Sequence, residues 1–300
     1  MKRKVVQQGP ATLMISLPSK WVKENSITKG DELDVTEERG RLVLTLDSAN
    51  TEPTKKEIDA QSELFNEYFV NYVYQKGYDE ILIRYSDASV PTLVEKRAKQ
   101  LLGFEIVEKT KNIILLKMLV NVDQQEFETV LKKLFQITLV MGDKISEALV
   151  QKNSALLEEV KIDEKENNKY SDLCVRILYK NRYKYPENGF ALYSLLRELE
   201  QIGDHYKYIA ESFSASPTQK TALQKLYSEI HAFFRLYYEL YYSYDAEKAQ
   251  RFFQRKNELL QESRQQLTAA TKEEALVLSH FTALVQSIFN LKGVMFLQHI

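Results

Sequence analysis

The chain has little of what would stabilise a small secreted or membrane-embedded protein. Its 300 residues include one cysteine, Cys174, and this excludes an internal disulfide framework. No stretch of about eighteen apolar residues occurs, and we therefore expect no membrane insertion. The N-terminus is basic but lacks the apolar core of a signal peptide, which leaves the cytoplasm as the expected location.

The chain also lacks an excess of either charge. It has 41 lysines and arginines against 42 aspartates and glutamates, a net charge of −1. The whole molecule therefore has no field that attracts nucleic acid, and any DNA binding must come from a local basic patch. A hydrophobic content of 44% with 28% charged residues is typical of a soluble chain. This length predicts two or three domains.

The first 46 residues predict the order β-β-short helix-β-β. Pro18 lies in the first helical turn, where its missing N–H costs nothing. The apolar positions of these elements are Val5, Val6, Leu13, Ile15, Leu17, Trp21, Val22, Leu33, Val35 and Leu42–Leu44. So few residues do not enclose a core alone. Because this segment contains no cysteine, the expected partner is a second copy of the chain.

The segment resembles the AbrB/SpoVT swapped-hairpin domain, a dimeric DNA-binding module. The resemblance rests on Gly9, Ile15-Ser16-Leu17-Pro18, Ile27 and Lys29-Gly30-Asp31-Glu32-Leu33. It implies that residues 1–46 form a dimerisation and DNA-binding domain. The candidate DNA-binding residues are Lys2, Arg3, Lys4, Lys20 and Lys23. The family usually has an arginine after the glycine of its second strand, where this chain has Pro10-Ala11-Thr12.

A polar stretch and a small mixed region follow. Residues 47–56 include Pro53, have no periodicity and are predicted to be a linker. Residues 57–120 are predicted to form an α+β connector, in which we find no nucleophile, phosphate loop or ligand cluster. Its predicted elements are a helix over 57–76, a strand over 80–85, a helix over 92–102 and two strands over 104–109 and 112–118.

Long helices are predicted from residue 121 to residue 300. The expected boundaries are 123–158, 159–184, a helix from Gly189 to a break at 214–217, and then 218–243, 245–268 and 272–299. Three helices, a break and three helices of similar length are the pattern of tandem three-helix bundles. The fold class is therefore multi-domain, with a β-rich N-terminal hairpin domain, a small α+β connector and an all-α C-terminal region.

Two acids of the third long helix are candidates for a site. Glu200 and Asp204 are four residues apart and therefore share one helix face. Hard oxygen donors placed this way suit Mg²⁺, Mn²⁺, iron or Zn²⁺, although such pairs are also common on solvated faces. Aligning the final helices of the two halves places Glu200 over Gln286 and Asp204 over Asn290.

The stretch from Glu200 to Glu211, EQIGDHYKYIAE, resembles the hallmark motif of PhoU proteins. These are tandem three-helix bundles of phosphate signalling whose inner helices bind metal clusters. By this resemblance a companion motif falls on residues 163–167, where Asn167 replaces the second acid. The resemblance thus implies at most one divalent ion in the first bundle, at Glu200 and Asp204 with help from Asp163, and none in the second.

An AbrB-like domain followed by a PhoU-like domain resembles the archaeal form of the phosphate uptake regulator. The two resemblances imply a DNA-binding transcriptional regulator, homodimeric, of phosphate uptake or of metal and phosphate homeostasis. The alternative is a PhoU-like adaptor that acts on a phosphate transporter or sensor kinase, with an N-terminal domain that only dimerises.

An enzyme is the third hypothesis, and the sequence argues against it. Di-metal carboxylate bundles need Glu-x-x-His motifs that face inward. The residues three places before the four histidines are Ile202, Ser228, Val277 and Phe296. None of these is acidic, and the chain is therefore predicted not to be an enzyme.

Overall fold

The structure is a computed structural model that describes residues 2–38, 40–45, 53–61, 65–120, 126–181, 188–215 and 221–299. The chain divides into two compact units, residues 1–53 and residues 54–300. Residues 47–52 of the linker predicted over 47–56 lie outside the described residues, and its last two residues, 55–56, belong to a strand instead. No helix of the described residues is long and apolar enough to cross a membrane.

The first unit is two hairpins with a short helix between them. Its elements are β1 (Val6–Gln8), β2 (Thr12–Met14), α1 (Ser19–Glu24), β3 (Asp34–Glu38) and β4 (Arg41–Thr45). β1 pairs antiparallel with β2, and β3 with β4. Gly9 and Gly40 turn the two hairpins at φ values of +78° and +81°, where residues with a Cβ are disfavoured. The predicted order of elements is confirmed.

The second unit begins with a mixed sheet. Its elements are β5 (Lys55–Asp59), α2 (Glu67–Gln75), β6 (Glu80–Arg84), α3 (Val90–Ala98), β7 (Phe104–Lys109) and β8 (Ile113–Met118). The strand order is β5-β6-β8-β7, with β5 parallel to β6 and the other pairs antiparallel. The helix predicted over 57–76 is wrong in its first part, because residues 55–59 are an edge strand and the helix begins at Glu67.

Over the part of residues 121–300 that the structure describes, seven helices follow the sheet: α4 (Phe127–Gln151), α5 (Ser154–Lys180), α6 (Gly189–Ala215), α7 (Thr221–Tyr242), α8 (Ala246–Leu267), α9 (Lys272–Asn290) and α10 (Lys292–His299). The first helix was predicted to reach residue 158. It ends at Gln151 because Lys152 is left-handed, with φ +56°, and the Asn153 side chain caps α5 by accepting from the amide of Ala155. The last predicted helix is interrupted at Leu291.

The two three-helix bundles share one hydrophobic core. α6 packs against α9 and α4 packs against α7, so the halves are joined along their length. Phe135 of α4 illustrates the junction, since its ring lies 5.2 Å from the ring of Tyr241 and 5.4 Å from that of Tyr238 on α7. The tyrosine-rich stretch of α7 is thus core and helix packing.

A buried arginine joins the sheet region to the helices. Arg176 of α5 is completely buried and donates to the carbonyl oxygens of Tyr74 and Tyr78, at 3.0 and 2.8 Å. It also donates to Asp79 Oδ1 at 2.6 Å, and Lys180 donates to the same oxygen at 2.7 Å. These bonds fix the end of α2 and the start of β6 to α5.

Candidate functional site

The first unit exposes the apolar residues that should form its core. None of its described side chains is buried. Large apolar side chains in the strands and directly beside them are exposed instead: Val5 62%, Val6 58%, Leu13 70%, Met14 45%, Ile15 55%, Val35 60% and Leu42 67%. A single copy of this unit therefore has no sealed core, which is the situation predicted for a hairpin that interleaves with a partner.

The basic residues predicted to contact DNA are all on the surface. Lys2, Arg3 and Lys4 precede β1 and are exposed. Lys20 and Lys23 are three apart on α1 and share one side of it. Lys20 lies 3.6 Å from Glu24, in an exposed pair worth little in water.

Charge is unevenly distributed along this unit. Residues 2–24 contain five basic residues and one acidic residue, whereas residues 31–38 contain five acidic residues and no basic one. A polyanion is therefore attracted to the β1-β2-α1 part and repelled by the start of the second hairpin. DNA binding by a chain with a net charge of −1 requires a local basic patch, and residues 2–24 supply it.

The helical domain has a charged cluster between α5 and α6. Lys207 Nζ donates to Asp204 Oδ1 at 2.7 Å on its own helix and to Glu164 Oε1 at 2.9 Å on α5. Burial alone would lower the pKa of Lys207, but its hydrogen bonds to Asp204 and Glu164 outweigh burial and raise that pKa above its usual value. One ammonium thus holds two carboxylates of different helices.

Glu200 lies beside this cluster. Burial raises its pKa, the charge of Arg197 lowers it, and the acids Asp204, Asp172 and Glu164 raise it further. Arg197 is its ion-pair partner at 3.0 Å. Glu200 and Asp204 therefore share a face, as predicted.

Asp163 lies elsewhere. Its Oδ2 atom pairs with Lys144 Nζ of α4 at 2.7 Å, and the neighbouring Glu164 faces α6 in its place. The structure does not bring Asp163 to Glu200 and Asp204. Sequence reasoning missed Glu164 and Lys207; the available signal was the spacing of Asp204 and Lys207, which are three residues apart on one helix face.

The arrangement does not fit one divalent ion held by Asp163, Glu200 and Asp204 together. Each of these acids already has a basic partner, and Asp163 is turned toward a third helix. Among the residues that the structure describes, no group of three or more His, Cys, Asp or Glu side chains could hold a metal ion. The metal itself stays a prediction.

The second half has the polar replacement that the alignment predicted. Gln286 Nε2 donates to Asn290 Oδ1 at 3.1 Å, and Asn290 Nδ2 donates to Glu198 Oε1 of α6 at 3.1 Å. Burial raises the pKa of Glu198, while its hydrogen bonds with Asn290 and Ser287 lower it. The two amides thus tie α9 to α6.

Close approach of α5 and α6 depends on a glycine. A Cβ at Gly203 would lie 2.8 Å from Asn167 Oδ1, shorter than real contacts. Asn167 is completely buried, and its Nδ2 donates to Thr138 Oγ1 at 2.8 Å. Asn167, which replaces the second acid of the companion motif, therefore helps to set the distance between α5 and α6.

Gly203→Ala is expected to destabilise the protein, although alanine favours helices over glycine by about 1 kcal/mol. The clash with Asn167 costs about 1–3 kcal/mol, as overpacking usually does. In an Asn167→Ala background the clash is absent, and Gly203→Ala should then be neutral or stabilising. Urea unfolding of the four proteins measures this, and the same loss in both backgrounds would contradict the proposed contact.

The structure also brings histidines of the helical domain close to polar and aromatic side chains of other helices. His231 of α7 is almost fully buried; its Nδ1 lies 2.8 Å from the Tyr206 hydroxyl and its Nε2 3.0 Å from Asp143 Oδ1. Burial lowers its pKa, and the charge of Asp143 raises it less. His205 and His280 have ring centroids 6.5 Å apart across α6 and α9. Both groups join the two halves of the helical domain.

Comparison with protein families finds two matches, one toward the N-terminus and one in the helical region. Residues 6–59 match the family described as "Antidote-toxin recognition MazE, bacterial antitoxin". Residues 131–213, from α4 to the end of α6, match the family described as "PhoU domain". No curated protein and no solved structure matches the chain. The chain therefore combines an N-terminal domain of the MazE/AbrB type with a PhoU domain, as the two resemblances predicted.

Proposed function

We propose that this protein is a dimeric DNA-binding transcription regulator whose PhoU domain receives a signal of phosphate, or of metal and phosphate, homeostasis. The observation that carries the proposal is the first unit. It exposes its strand-face apolar residues and its basic β1-β2-α1 segment together, within a match to a MazE-type family.

Two copies of the unit would bury the exposed strand faces against each other. Large apolar side chains such as Leu13 and Leu42 contribute about 1.5–3 kcal/mol each when they become fully buried. Pairing also brings together two sets of Lys2, Arg3 and Lys4, which doubles the local charge. Phosphate contacts of this kind position a protein on DNA and supply most of its affinity, without reading sequence.

The direct test is a gel shift of the full chain on genomic DNA fragments at low and high salt. A regulator should bind at low salt, lose affinity steeply as salt rises, and favour some fragments over others at intermediate salt. Absence of binding at any salt concentration would rule out the DNA-binding function.

A second candidate is an adaptor that does not bind DNA. Pro10-Ala11-Thr12 stands where AbrB-like domains usually have an arginine, and residues 31–38 are acidic. The matched MazE family is moreover named for recognition of a toxin. In this function the first unit only dimerises, and the PhoU domain contacts a phosphate transporter or sensor kinase. Both matched families are regulatory domain types, and no enzymatic activity is proposed.

Replacing Lys2, Arg3 and Lys4 by alanine together is expected to weaken DNA binding similarly for all sequences. The slope of log affinity against log salt should become shallower by about 0.9 for each DNA phosphate that the variant no longer neutralises. Fluorescence anisotropy over a series of salt concentrations measures the slope.

The matched control replaces Lys96, Lys99 and Lys111, three exposed lysines of the second unit, by alanine. This control removes as many positive charges as the first variant and should leave the slope of log affinity against log salt unchanged. A slope that falls equally in both variants, or in neither, would show that the basic terminus does not contact DNA.

A further inference from the structure

The cluster between α5 and α6 contains its own cation. Lys207 Nζ bonds Glu164 Oε1 and Asp204 Oδ1, and all three side chains are largely shielded from water, with exposures of 20%, 10% and 32%. Asn168 Nδ2 donates to the same oxygen of Glu164 at 2.9 Å. The two carboxylates therefore share one positive charge and are held in place from within the fold.

Carboxylates that converge between helices need a compensating positive charge, because unpaired charge away from water is costly. PhoU-type bundles are expected to obtain it from a metal ion. A divalent ion must approach carboxylate oxygens to about 2.0–2.6 Å. Here the nearest oxygens of Glu164 and Asp204 are already bonded to the ammonium of Lys207, which would repel such an ion.

We infer that Lys207 is a built-in counterion that takes the place of a divalent metal in the first bundle, and that this bundle folds without metal. The ammonium neutralises the charge at Glu164 and Asp204, while the guanidinium of Arg197 does so at Glu200. The inference concerns this cluster alone and does not depend on whether the protein binds DNA.

The first test uses the full-length protein. Elemental analysis of purified protein should find only substoichiometric metal, and neither EDTA nor millimolar Mn²⁺ should change the Tm. One metal ion per chain, with a Tm that falls when EDTA removes it, would overturn the inference. This arm requires no variant.

The second test removes the lysine. Lys207→Met leaves Glu164 and Asp204 without their cation and should lower the Tm by about 3–8 °C. Mn²⁺ at millimolar concentration should then raise the Tm of this variant but not of the wild type. Adding Glu164→Gln and Asp204→Asn to Lys207→Met should restore stability without metal, because the repelling charges are gone.

Two controls separate charge from packing. Lys207→Arg keeps the positive charge and should retain most of the Tm, and Lys133→Met removes an exposed lysine of α4 and should change little. If Lys207→Met does not fold, the measurements on the wild-type protein and on Lys207→Arg decide. A Lys207→Met variant with the wild-type Tm would overturn the inference.

Discussion

Removal of residues 1–53 is expected to make the protein monomeric and to abolish DNA binding in the same step. The remaining chain, from Thr54, is a compact unit that keeps its sheet and helices. The deleted unit holds the exposed strand faces and the basic terminus. Light scattering and a gel shift on the truncated chain measure the two effects.

A double variant of the full chain serves as the matched control. Leu13→Asp with Leu42→Asp keeps every basic residue but places charge on two of the most exposed strand positions. It should dissociate the dimer, since burying an unpaired carboxylate is costly, and weaken DNA binding through loss of the second basic set. A truncated chain that is still dimeric would place the main interface in residues 54–300.

The sequence predicted the elements whose patterns are local. The two short hairpins follow from alternating apolar residues around glycines, and the apolar stripe of α4 is visible in Val130, Leu134 and Ile145, all of which are buried. β5 could not be read this way. It is an edge strand, Lys-Lys-Glu-Ile-Asp, with only Ile58 buried, and it forms by pairing in parallel with β6. That pairing leaves no periodicity in the strand itself.

In the candidate metal site, too, one feature follows from the local sequence and another depends on tertiary packing. Glu200 and Asp204 share a helix face because they are four residues apart, which the sequence alone decides. Which acid of α5 meets them depends on the rotation of that helix against α6. Asp163 and Glu164 are adjacent and therefore point about 100° apart. The fit of Gly203 against Asn167 helps fix the helix pair, and such tertiary packing does not appear in a linear pattern.

Arg176→Met is expected to be the most destabilising single substitution among those proposed. It removes the buried guanidinium that donates to the carbonyl oxygens of Tyr74 and Tyr78, of which the Tyr74 oxygen keeps its hydrogen bond from the Gly77 amide. It also removes the cation stacked 5.0 Å from the ring of Tyr74. Hydrogen bonds that involve a charged group contribute about 1.5–3 kcal/mol each to the free energy of unfolding, and several are lost together although Asp79 keeps its ion pair with Lys180. Urea unfolding followed by circular dichroism measures the loss, with Arg251→Met on the surface of α8 as the control.

The same substitution should also separate the unfolding of the sheet from that of the helices. Hydrogen exchange in β6 and β8 should rise more than in α6, because Arg176 joins α5 to the segment that precedes β6. Equal increases in both regions would contradict this coupling.

Low pH should weaken the same contact, because it protonates Asp79, the carboxylate to which both Arg176 and Lys180 donate. Burial raises the pKa of Asp79, but hydrogen bonds from Lys180 and Thr54 outweigh burial and hold it below the usual value. A group with a lowered folded-state pKa stabilises the fold above its unfolded-state pKa, about 3.9 for aspartate. The stabilisation is lost as the pH falls through the folded-state pKa.

Asp79→Asn should therefore be less stable than the wild type at neutral pH, and the difference should shrink below about pH 4. A difference that is constant between pH 7 and pH 3 would show that the charge of Asp79 does not hold the sheet to α5.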